Sequence, residues 1–305
     1  MDDYLHRATA AHAARNLSEQ NARWIFEIAG ALPKDILPSN RVFQEAARGT
    51  QILNSRLKKV RGWRNALRVV LEELAVFPDL ARRHSEWAAT ADAHFQNFDI
   101  GTATDSLGTA GASTDGALLS SIPSYRAIVA DTNALMEDRA FALAMLIHLL
   151  ADLLTPGHLM SRVQKGGSFD GGLNHFPLRI EGVAATQFHA LFDGFALMVT
   201  YGFRPGPGHI GDYPKLVETN ISAVQNWLSN GFPERTLLGL AKHSFSTGLQ
   251  LLNGYKLKEG DVVTESFVAE IVSPQIISCA TMASVVINDV LSAVAADSEV
   301  WPAGC

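Results

Sequence analysis

The sequence predicts an all-α fold, a single-domain helical bundle over residues 1–305, with long site-bearing loops. Apolar residues recur at helical spacing along most of the chain, and alternating strand patterns are scarce. Clusters of glycine and proline separate the helical segments. With 305 residues and 47% hydrophobic content, the chain is long and apolar enough to bury a large core.

In the first half of the chain, a helix is predicted over 3–30, because Gly30 follows the last periodic residue. The same periodicity predicts helices over 40–60, 63–76 and 79–95, the last with Pro78 near its start. Residues 99–122 contain Gly101, Gly108, Gly111 and Gly116 among Ser, Thr and Asp residues, which predicts a long loop.

In the second half, a strong helix is predicted over 125–154, because Pro156 and Gly157 end the pattern. The glycines of 163–182 predict a second loop, and the segment 202–214 is rich in Pro and Gly and predicts a turn region. Further helices are predicted over 184–201, 214–230, 234–256 and 263–296.

Charge and composition limit the function. The net charge is −6, and no basic block is longer than residues 56–61, so a broad footprint for duplex DNA is not expected. The longest apolar run, 141–154, is too short and too polar to span a membrane. The first residues do not read as a signal peptide, which predicts a cytoplasmic protein, although a secreted protein with its leader removed has the same appearance. Cys279 and Cys305 cannot form a cysteine metal site, and whether they pair is left open.

The most apolar stretch of the chain carries ionisable groups. His148 and Asp152 are four residues apart, as are His189 and Asp193, so each pair shares one face of a helix. Burying such groups costs several kcal/mol unless they are paired or bind a cation. His158 follows the Pro-Gly break and adds a ligand from a neighbouring direction. Imidazole and carboxylate together are a zinc-type ligand set, which predicts metal binding.

The residues around these pairs resemble the S1/P1 nuclease branch of the zinc-dependent phospholipase C/P1 nuclease superfamily. The family motif His-x3-Asp-x5-His matches His148 to His158, and its Gly-Gly-Asn segment resembles Asp170-Gly-Gly-Leu-Asn174. The later His-x2-Trp-Asp element resembles 189–193, with Phe192 in place of Trp.

The resemblance continues in the N-terminal half, so that it covers roughly residues 1–200. Met1 stands five residues before His6, where the family has Trp. An Asp-x2-Arg element is present at Asp79 and Arg82, and His94 with Phe95 follows fifteen residues after Asp79.

The resemblance implies three zinc ions per chain. One would be bound by Asp79, His94, His148 and Asp152. A second would be bound by His158, His189 and Asp193. A third would be bound by His6, Asp152 and the backbone amine and carbonyl of Met1, so that Asp152 bridges two metals.

The implied chemistry is hydrolysis of a phosphoester by a metal-activated water. Asp79 would orient or deprotonate this water, and Arg82 would bind the phosphate. Phe95 would line the cleft, and Asn174 and His175 would contact the substrate. The expected substrate is a small-molecule or single-stranded nucleic-acid phosphoester.

Other readings stay open. The cluster can serve non-phosphate small-molecule chemistry, with iron or manganese as the metal, because His and carboxylate ligands also suit those ions. Departures at Met1, Gly157, Gln187 and Phe192, where the family has Trp, Leu, Asn and Trp, are in line with that reading, as expected for a divergent bacterial-type member. A phospholipase C activity is less favoured, because that branch typically ends its last pair with Glu rather than Asp193. A zinc-stabilised protein without catalysis is a further reading.

Overall fold

The computed structural model describes residues 3–32, 63–82, 87–109, 114–182, 185–201 and 236–296. Within these ranges most residues are helical, and two small sheets add a minor β component. The helices in chain order are α1 (Asp3–Ala13), α2 (Glu19–Ala29), α3 (Trp63–Ala81), α4 (Leu118–Ala130), α5 (Met136–Leu153), α6 (Phe188–Ala190), α7 (Ala196–Tyr201), α8 (Leu237–Gly254), α9 (Glu265–Phe267) and α10 (Ser273–Ala295). The predicted all-α class is confirmed as a mostly helical fold.

Helix α5 lies at the centre of the protein. Every residue from Ala142 to Ser161 is buried, which is the pattern of a helix that is apolar on all sides and is surrounded by others. It packs against α3 and α4 on the N-terminal side of the chain and against α8 and α10 on the C-terminal side. One hydrophobic cluster contains side chains from Leu5 to Val294. A single hydrophobic cluster agrees with the single domain expected from the sequence. The domain organisation itself stays a prediction.

Two three-stranded sheets flank this centre. The strands in chain order are β1 (Gln96–Asp99), β2 (Thr114–Gly116), β3 (Met160–Ser161), β4 (Pro177–Ile180), β5 (Ala185–Gln187) and β6 (Val262–Val263). The first sheet has the order β2-β1-β3, with β1 antiparallel to β2 and parallel to β3. The second has the order β5-β4-β6, with β4 antiparallel to β5 and parallel to β6.

Several predicted element boundaries are wrong. The helix predicted over 3–30 is interrupted at Leu17 and Ser18, which are extended, and the Ser18 hydroxyl accepts a hydrogen bond from the Asn21 amide to begin α2. The helix predicted over 125–154 is two helices, because an Asp131 carboxylate accepts the Asn133 amide in the turn between them.

The segment 79–95 is also not one helix. Pro78 lies inside α3, which continues to Ala81, and residues Ala88–His94 form a separate 3-10 helix. The expected loops 99–122 and 163–182 contain strands β2 and β4, and α4 begins within the first of them. The helix expected from 184 is preceded by strand β5. The predicted helices 40–60 and 214–230 lie outside the described residues.

The C-terminal stretch Glu265–Ala295 is the one described helical segment long and apolar enough to cross a membrane. Of its apolar window, 67% is buried inside the protein. Core helices of soluble proteins have the same length and composition, so this is weak evidence for a span.

The central position of α5 leads to a stability prediction. Leu143 is fully buried in α5, whereas Leu135, one residue before the same helix, is 68% exposed. Leu143→Ala should lower the free energy of unfolding by about 2–5 kcal/mol, because it leaves a cavity in a packed interior. Leu135→Ala should change it by less than about 0.5 kcal/mol. Urea unfolding followed by circular dichroism measures both, and equal effects would show that α5 is not central.

Candidate metal centre

The eight side chains predicted as metal ligands come from distant parts of the chain and meet around Asp152. His6 lies on α1, Asp79 on the last turn of α3, and His148 and Asp152 on α5. His94 ends the 3-10 helix before β1, and His158 ends a 3-10 turn, Pro156–His158, just before β3. His189 lies in α6 directly after β5, and Asp193 lies in the π-helical turn Leu191–Phe195 that follows.

The small sheets, which the sequence analysis did not predict, place several of these residues. The parallel pairing of β1 with β3 brings His94 and His158 side by side, and Nδ1 of His158 donates to the backbone carbonyl of His94. In the second sheet, β5 leads directly into α6, whose second residue is His189. Asp193 is followed in the chain by Gly194, whose φ of +117° interrupts the helical geometry.

The carboxylate of Asp152 lies close to the rings of four histidines. Its Oδ2 lies 3.1 Å from Nε2 of His148 and 3.2 Å from Nδ1 of His94. Its Oδ1 lies 3.4 Å from Nε2 of His6 and 3.5 Å from Nε2 of His158. Asp79 approaches from the other side, with Oδ1 3.7 Å from Nε2 of His148. The carboxylate of Asp152 is fully buried and faces all four imidazoles.

His6 joins this group from α1. Its ring stacks on that of His148, with centroids 3.8 Å apart and planes 19° apart. Ligand atoms of His6, Asp79 and His148 lie within 4.8 Å of one another, as do those of His94, His148 and Asp152. His6 therefore has both Asp152 and Asp79 within reach of a common cation.

His158, His189 and Asp193 form an adjacent group whose ligand atoms also lie within 4.8 Å of one another. Nε2 of His189 lies 3.1 Å from Oδ2 of Asp193, and Nε2 of His158 lies 3.6 Å from Oδ1. Because His158 is also close to Asp152, the two groups are contiguous.

Backbone carbonyls determine which histidine nitrogen faces inward. Nδ1 contacts a carbonyl oxygen in three rings: His148 on Ala75 at 2.7 Å, His158 on His94 at 2.5 Å and His189 on Gly172 at 2.8 Å. A carbonyl oxygen only accepts, so Nδ1 carries a proton, and Nε2 of each ring faces the carboxylates as the atom that can hold either a second proton or a metal ion. Lone pairs that face carboxylate oxygens repel unless a cation or a proton lies between them.

The donor set fits a metal. Within the described chain, several buried site atoms have no hydrogen-bond partner: Nδ1 and Nε2 of His6, Nε2 of His94, Oδ1 of Asp152 and Nε2 of His158. Unpartnered buried polar atoms are rare and costly. Their concentration around two carboxylates, with nitrogen and oxygen donors only, is what zinc, iron or manganese requires.

The electrostatics agree. Burial, together with the charge of His148, lowers the pKa of His6 to about 3, so this ring is neutral near pH 7. Burial acts against a high pKa for His148 as well, but the carboxylates of Asp152 and Asp79 outweigh it and raise that pKa. Burial likewise acts to raise the pKa of Asp152, but His148 and His158 hold it well below its usual range. The carboxylates that attract protons to these rings also attract metal ions.

Two predicted residues lie at the edge of this cluster. Arg82 places Nη2 2.9 Å from Oδ1 of Asp79, and its side chain is 32% exposed. Burial would raise the pKa of Asp79, but the charges of His148, His6 and Arg82 bring it to about 2. Phe95 is partly exposed next to His94, and its ring lies against Gly116, where a β-carbon would be 2.5 Å from it.

The structure places the predicted substrate contacts in the loop between β3 and β4, residues 162–176, which we call the glycine-rich loop. The Asn174 amide donates to the backbone carbonyl of Gly171, and this side chain is partly buried. His175 is exposed, and its backbone carbonyl accepts from Arg162. Met1 lies outside the described residues. Substrate contact by Asn174 and His175 stays a prediction.

The sequence does not reveal the groups that orient the candidate ligands. The carbonyls of Ala75, His94 and Gly172 leave no trace in residue types. Asp170 was noticed only as part of a motif, although it is 1% exposed and binds neighbouring groups. The sequence feature that could have indicated this role is the pair of adjacent glycines directly after Asp170.

Gly157, a departure from the family motif, is explained by the structure. A β-carbon here would lie 2.9 Å from Nδ1 of His189. A leucine would therefore displace the His189 ring from its present position.

Gly172 provides a test of how tightly the His189 ring is held. Its φ is +75°, and a β-carbon would lie 2.3 Å from the Gly157 carbonyl oxygen and 2.8 Å from Nδ1 of His189. Gly167 is a matched control, since its φ is +90° and a β-carbon would meet nothing within 4 Å. Both changes to Ala carry a left-handed strain of roughly 1–2 kcal/mol.

Only Gly172→Ala should also weaken zinc binding, measured by competition with a chromophoric chelator. Equal zinc affinity in the Gly172→Ala and Gly167→Ala proteins would contradict the packing of this loop on His189.

Comparison with known proteins identifies the family. No curated protein sequence matches the chain. The S1/P1 nuclease family model matches residues 5–230, a segment that contains all eight clustered side chains. Because this match covers more than half of the chain, the protein belongs to the S1/P1 nuclease family, whose members are metal-dependent phosphoesterases.

Proposed function

We propose that this protein is a trinuclear zinc phosphoesterase that hydrolyses single-stranded nucleic acid or nucleotides. The observation that supports it most is the convergence of four imidazoles on the buried carboxylate of Asp152, with unpartnered donor atoms facing inward. A stabilising cation site alone would need only one such group, whereas the chain has contiguous groups on both sides of Asp152.

The ligand sets that we propose follow the family pattern. Asp79, His94, His148 and Asp152 would hold one zinc, and His158, His189 and Asp193 a second. His6 and Asp152 would hold a third together with the backbone of residue 1. The proximity of His6 to Asp152, at 3.4 Å, supports the third assignment.

When bound, such ions lower the pKa of a coordinated water towards neutrality and neutralise charge on a phosphoryl group. The chain's own residues would do the rest. Asp79, with a pKa of about 2, is ionised near pH 7 and is a weak base. We therefore propose that Asp79 orients the attacking water by accepting a hydrogen bond from it. Asp79 does not serve as the general base that removes the proton of this water.

Arg82 and Phe95 would handle the substrate. Arg82 contacts Asp79 through one terminal nitrogen, and its side chain is partly exposed, so a phosphate oxygen has access to its other donors. The ring of Phe95 is partly exposed beside His94 and offers a surface on which a nucleobase can stack.

The role of Asp152 gives the sharpest activity test. Asp152→Asn removes the shared charge, so the purified variant should retain fewer zinc ions than the wild type and lose at least about 100-fold in the rate of phosphodiester hydrolysis. Asp138→Asn is the matched control, because Asp138 is exposed on the first turn of the same helix. Elemental analysis and hydrolysis of a chromogenic phosphodiester measure both effects.

The outcomes separate the candidate functions. About three zinc ions per chain with phosphoesterase activity, both reduced only in Asp152→Asn, support the proposal. Iron or manganese in the purified protein, without hydrolysis of any phosphoester by the zinc-loaded form, would overturn it and favour repurposed small-molecule chemistry.

Metal removal should change stability in a pH-dependent way. Without metal, the raised pKa values of His148 and His189 mean that their protonated forms stabilise the fold below the usual histidine pKa of 6.5. This contribution is lost as the pH rises through the raised values. The stabilisation of the fold by bound zinc instead increases as the pH rises, because protons compete with zinc for the same nitrogens.

The rise in melting temperature caused by zinc should therefore be larger at about pH 8 than at about pH 6. Differential scanning calorimetry of metal-free and zinc-saturated protein tests this. A zinc-induced shift that is equal at both pH values, or larger at the lower one, would contradict it.

A further inference from the structure

We infer that Asp170, held by Arg162, is a positioning residue that fixes His189 for metal binding through the backbone of Gly172. This inference rests on the proposed function, because it concerns the group formed by His158, His189 and Asp193. It involves Glu259, which lies beyond the segment 5–230 that the family model matches.

Asp170 collects hydrogen bonds from one side of the glycine-rich loop. Its Oδ1 accepts from the Ser161 hydroxyl at 2.7 Å, from the Arg162 amide at 3.0 Å and from the Leu173 amide at 3.0 Å. Its Oδ2 accepts from Nε of Arg162 at 2.8 Å. The residue is 1% exposed, so these bonds replace its contact with water.

The backbone that Asp170 holds is strained. Gly171, Gly172 and Leu173 have φ values of +68°, +75° and +63° in succession. Leucine avoids this left-handed region because its β-carbon approaches the following carbonyl, yet Leu173 adopts it while fully buried. The bond from the Leu173 amide to Asp170 is one of the interactions that hold it there.

Gly172 connects this strained turn to the metal centre. Its amide donates to the Ser161 hydroxyl at 3.3 Å, and the same hydroxyl donates to Asp170. Its carbonyl accepts from Nδ1 of His189 at 2.8 Å, which directs Nε2 of that ring towards Asp193. The orientation of the carbonyl depends on the dihedral angles of the turn, so Asp170 acts on His189 without touching it.

Arg162 fixes Asp170 from outside. Besides Asp170, its guanidinium donates to the His175 carbonyl at 3.0 Å and to the carboxylate of Glu259, and it lies 5.2 Å from the centre of the Phe176 ring. These contacts join the glycine-rich loop to the segment that leads into β6. We call the set of Ser161, Arg162, Asp170 and Glu259 the loop clamp.

The loop clamp predicts a selective loss of metal affinity. Partners that orient metal-binding histidines typically contribute 10- to 100-fold to affinity. Asp170→Ala should therefore weaken the zinc that depends on His189 by at least about 10-fold. Asp170→Asn, which keeps an oxygen for Ser161 and Leu173 but loses the ion pair with Arg162, should lie between Asp170→Ala and the wild type.

The experiment uses the full chain, stripped of metal and titrated with zinc or cobalt(II) against a chelator. Asp131→Asn is the matched control, because Asp131 also accepts a backbone amide in a turn but lies in the loop between α4 and α5. His189→Ala identifies the zinc that depends on this group. The visible absorption of the cobalt form reports ligand geometry, which a purely structural role of Asp170 would leave unchanged.

The outcomes are distinguishable. A zinc ion lost in His189→Ala, weakened in Asp170→Ala and partly restored in Asp170→Asn, with an altered cobalt spectrum, supports the inference. If His189→Ala binds as much zinc as the wild type, the proposed function fails at this group. If His189→Ala loses a zinc but Asp170→Ala keeps wild-type affinity and spectrum, the positioning role is overturned alone. Should Asp170→Ala not fold, Arg162→Ala and Asp170→Asn decide: wild-type affinity in both overturns it.

Discussion

The rest of the site depends on one constraint, which is the burial of the Asp152 carboxylate in the middle of an apolar helix. An ionised carboxylate in such surroundings costs several kcal/mol unless opposite charge reaches it. Here the nitrogen atoms of His6, His94, His148 and His158 all lie within 3.5 Å of it. Backbone carbonyls hold one proton of His148 and of His158 on the outer nitrogen, so the inner nitrogen of each ring faces Asp152 and can hold either a proton or a metal ion. Nitrogen and oxygen donors gathered around one carboxylate are a ligand set that suits a metal ion.

The fold can be understood as the support for that arrangement. Helix α5 is surrounded by other helices, so His148 and Asp152 are kept from water. The two small sheets bring the ends of distant segments together, which places His94 next to His158 and positions α6, which contains His189, directly after β5. The glycine-rich loop packs against the His189 ring on its Nδ1 side. A β-carbon at Gly157 or Gly172 would lie less than 3.0 Å from this ring.

Much of this could be predicted from the sequence. The pairs His148/Asp152 and His189/Asp193 were indicated by their four-residue spacing, whereas Asp79 and His94, fifteen residues apart, were indicated by the resemblance to the family. Helix positions followed from periodicity, but helix ends did not. Ser18 and Asp131 break predicted helices by accepting hydrogen bonds from nearby amides, a local competition that apolar periodicity does not record.

The sheets and the loop clamp were missed for a different reason. Strands of two to four residues are too short to show an alternating pattern, and their pairing joins segments far apart in the chain. The carbonyl oxygens that orient the histidines belong to Ala75, His94 and Gly172, and backbone atoms do not depend on residue type. Only the three-dimensional structure shows that hydrogen bonds through Ser161 and Gly172 connect Asp170 to His189, a residue that Asp170 does not contact.

The central claim is that Asp152 is shared by bound metal ions. Anomalous diffraction from crystals of the zinc-loaded protein, recorded on both sides of the zinc absorption edge, tests it most directly. We predict zinc peaks at about 2.0–2.2 Å from the carboxylate oxygens of Asp152 and from Nε2 of His148, with a further peak bound by His158 and His189. A zinc-loaded crystal without an anomalous peak in contact with Asp152 would contradict it.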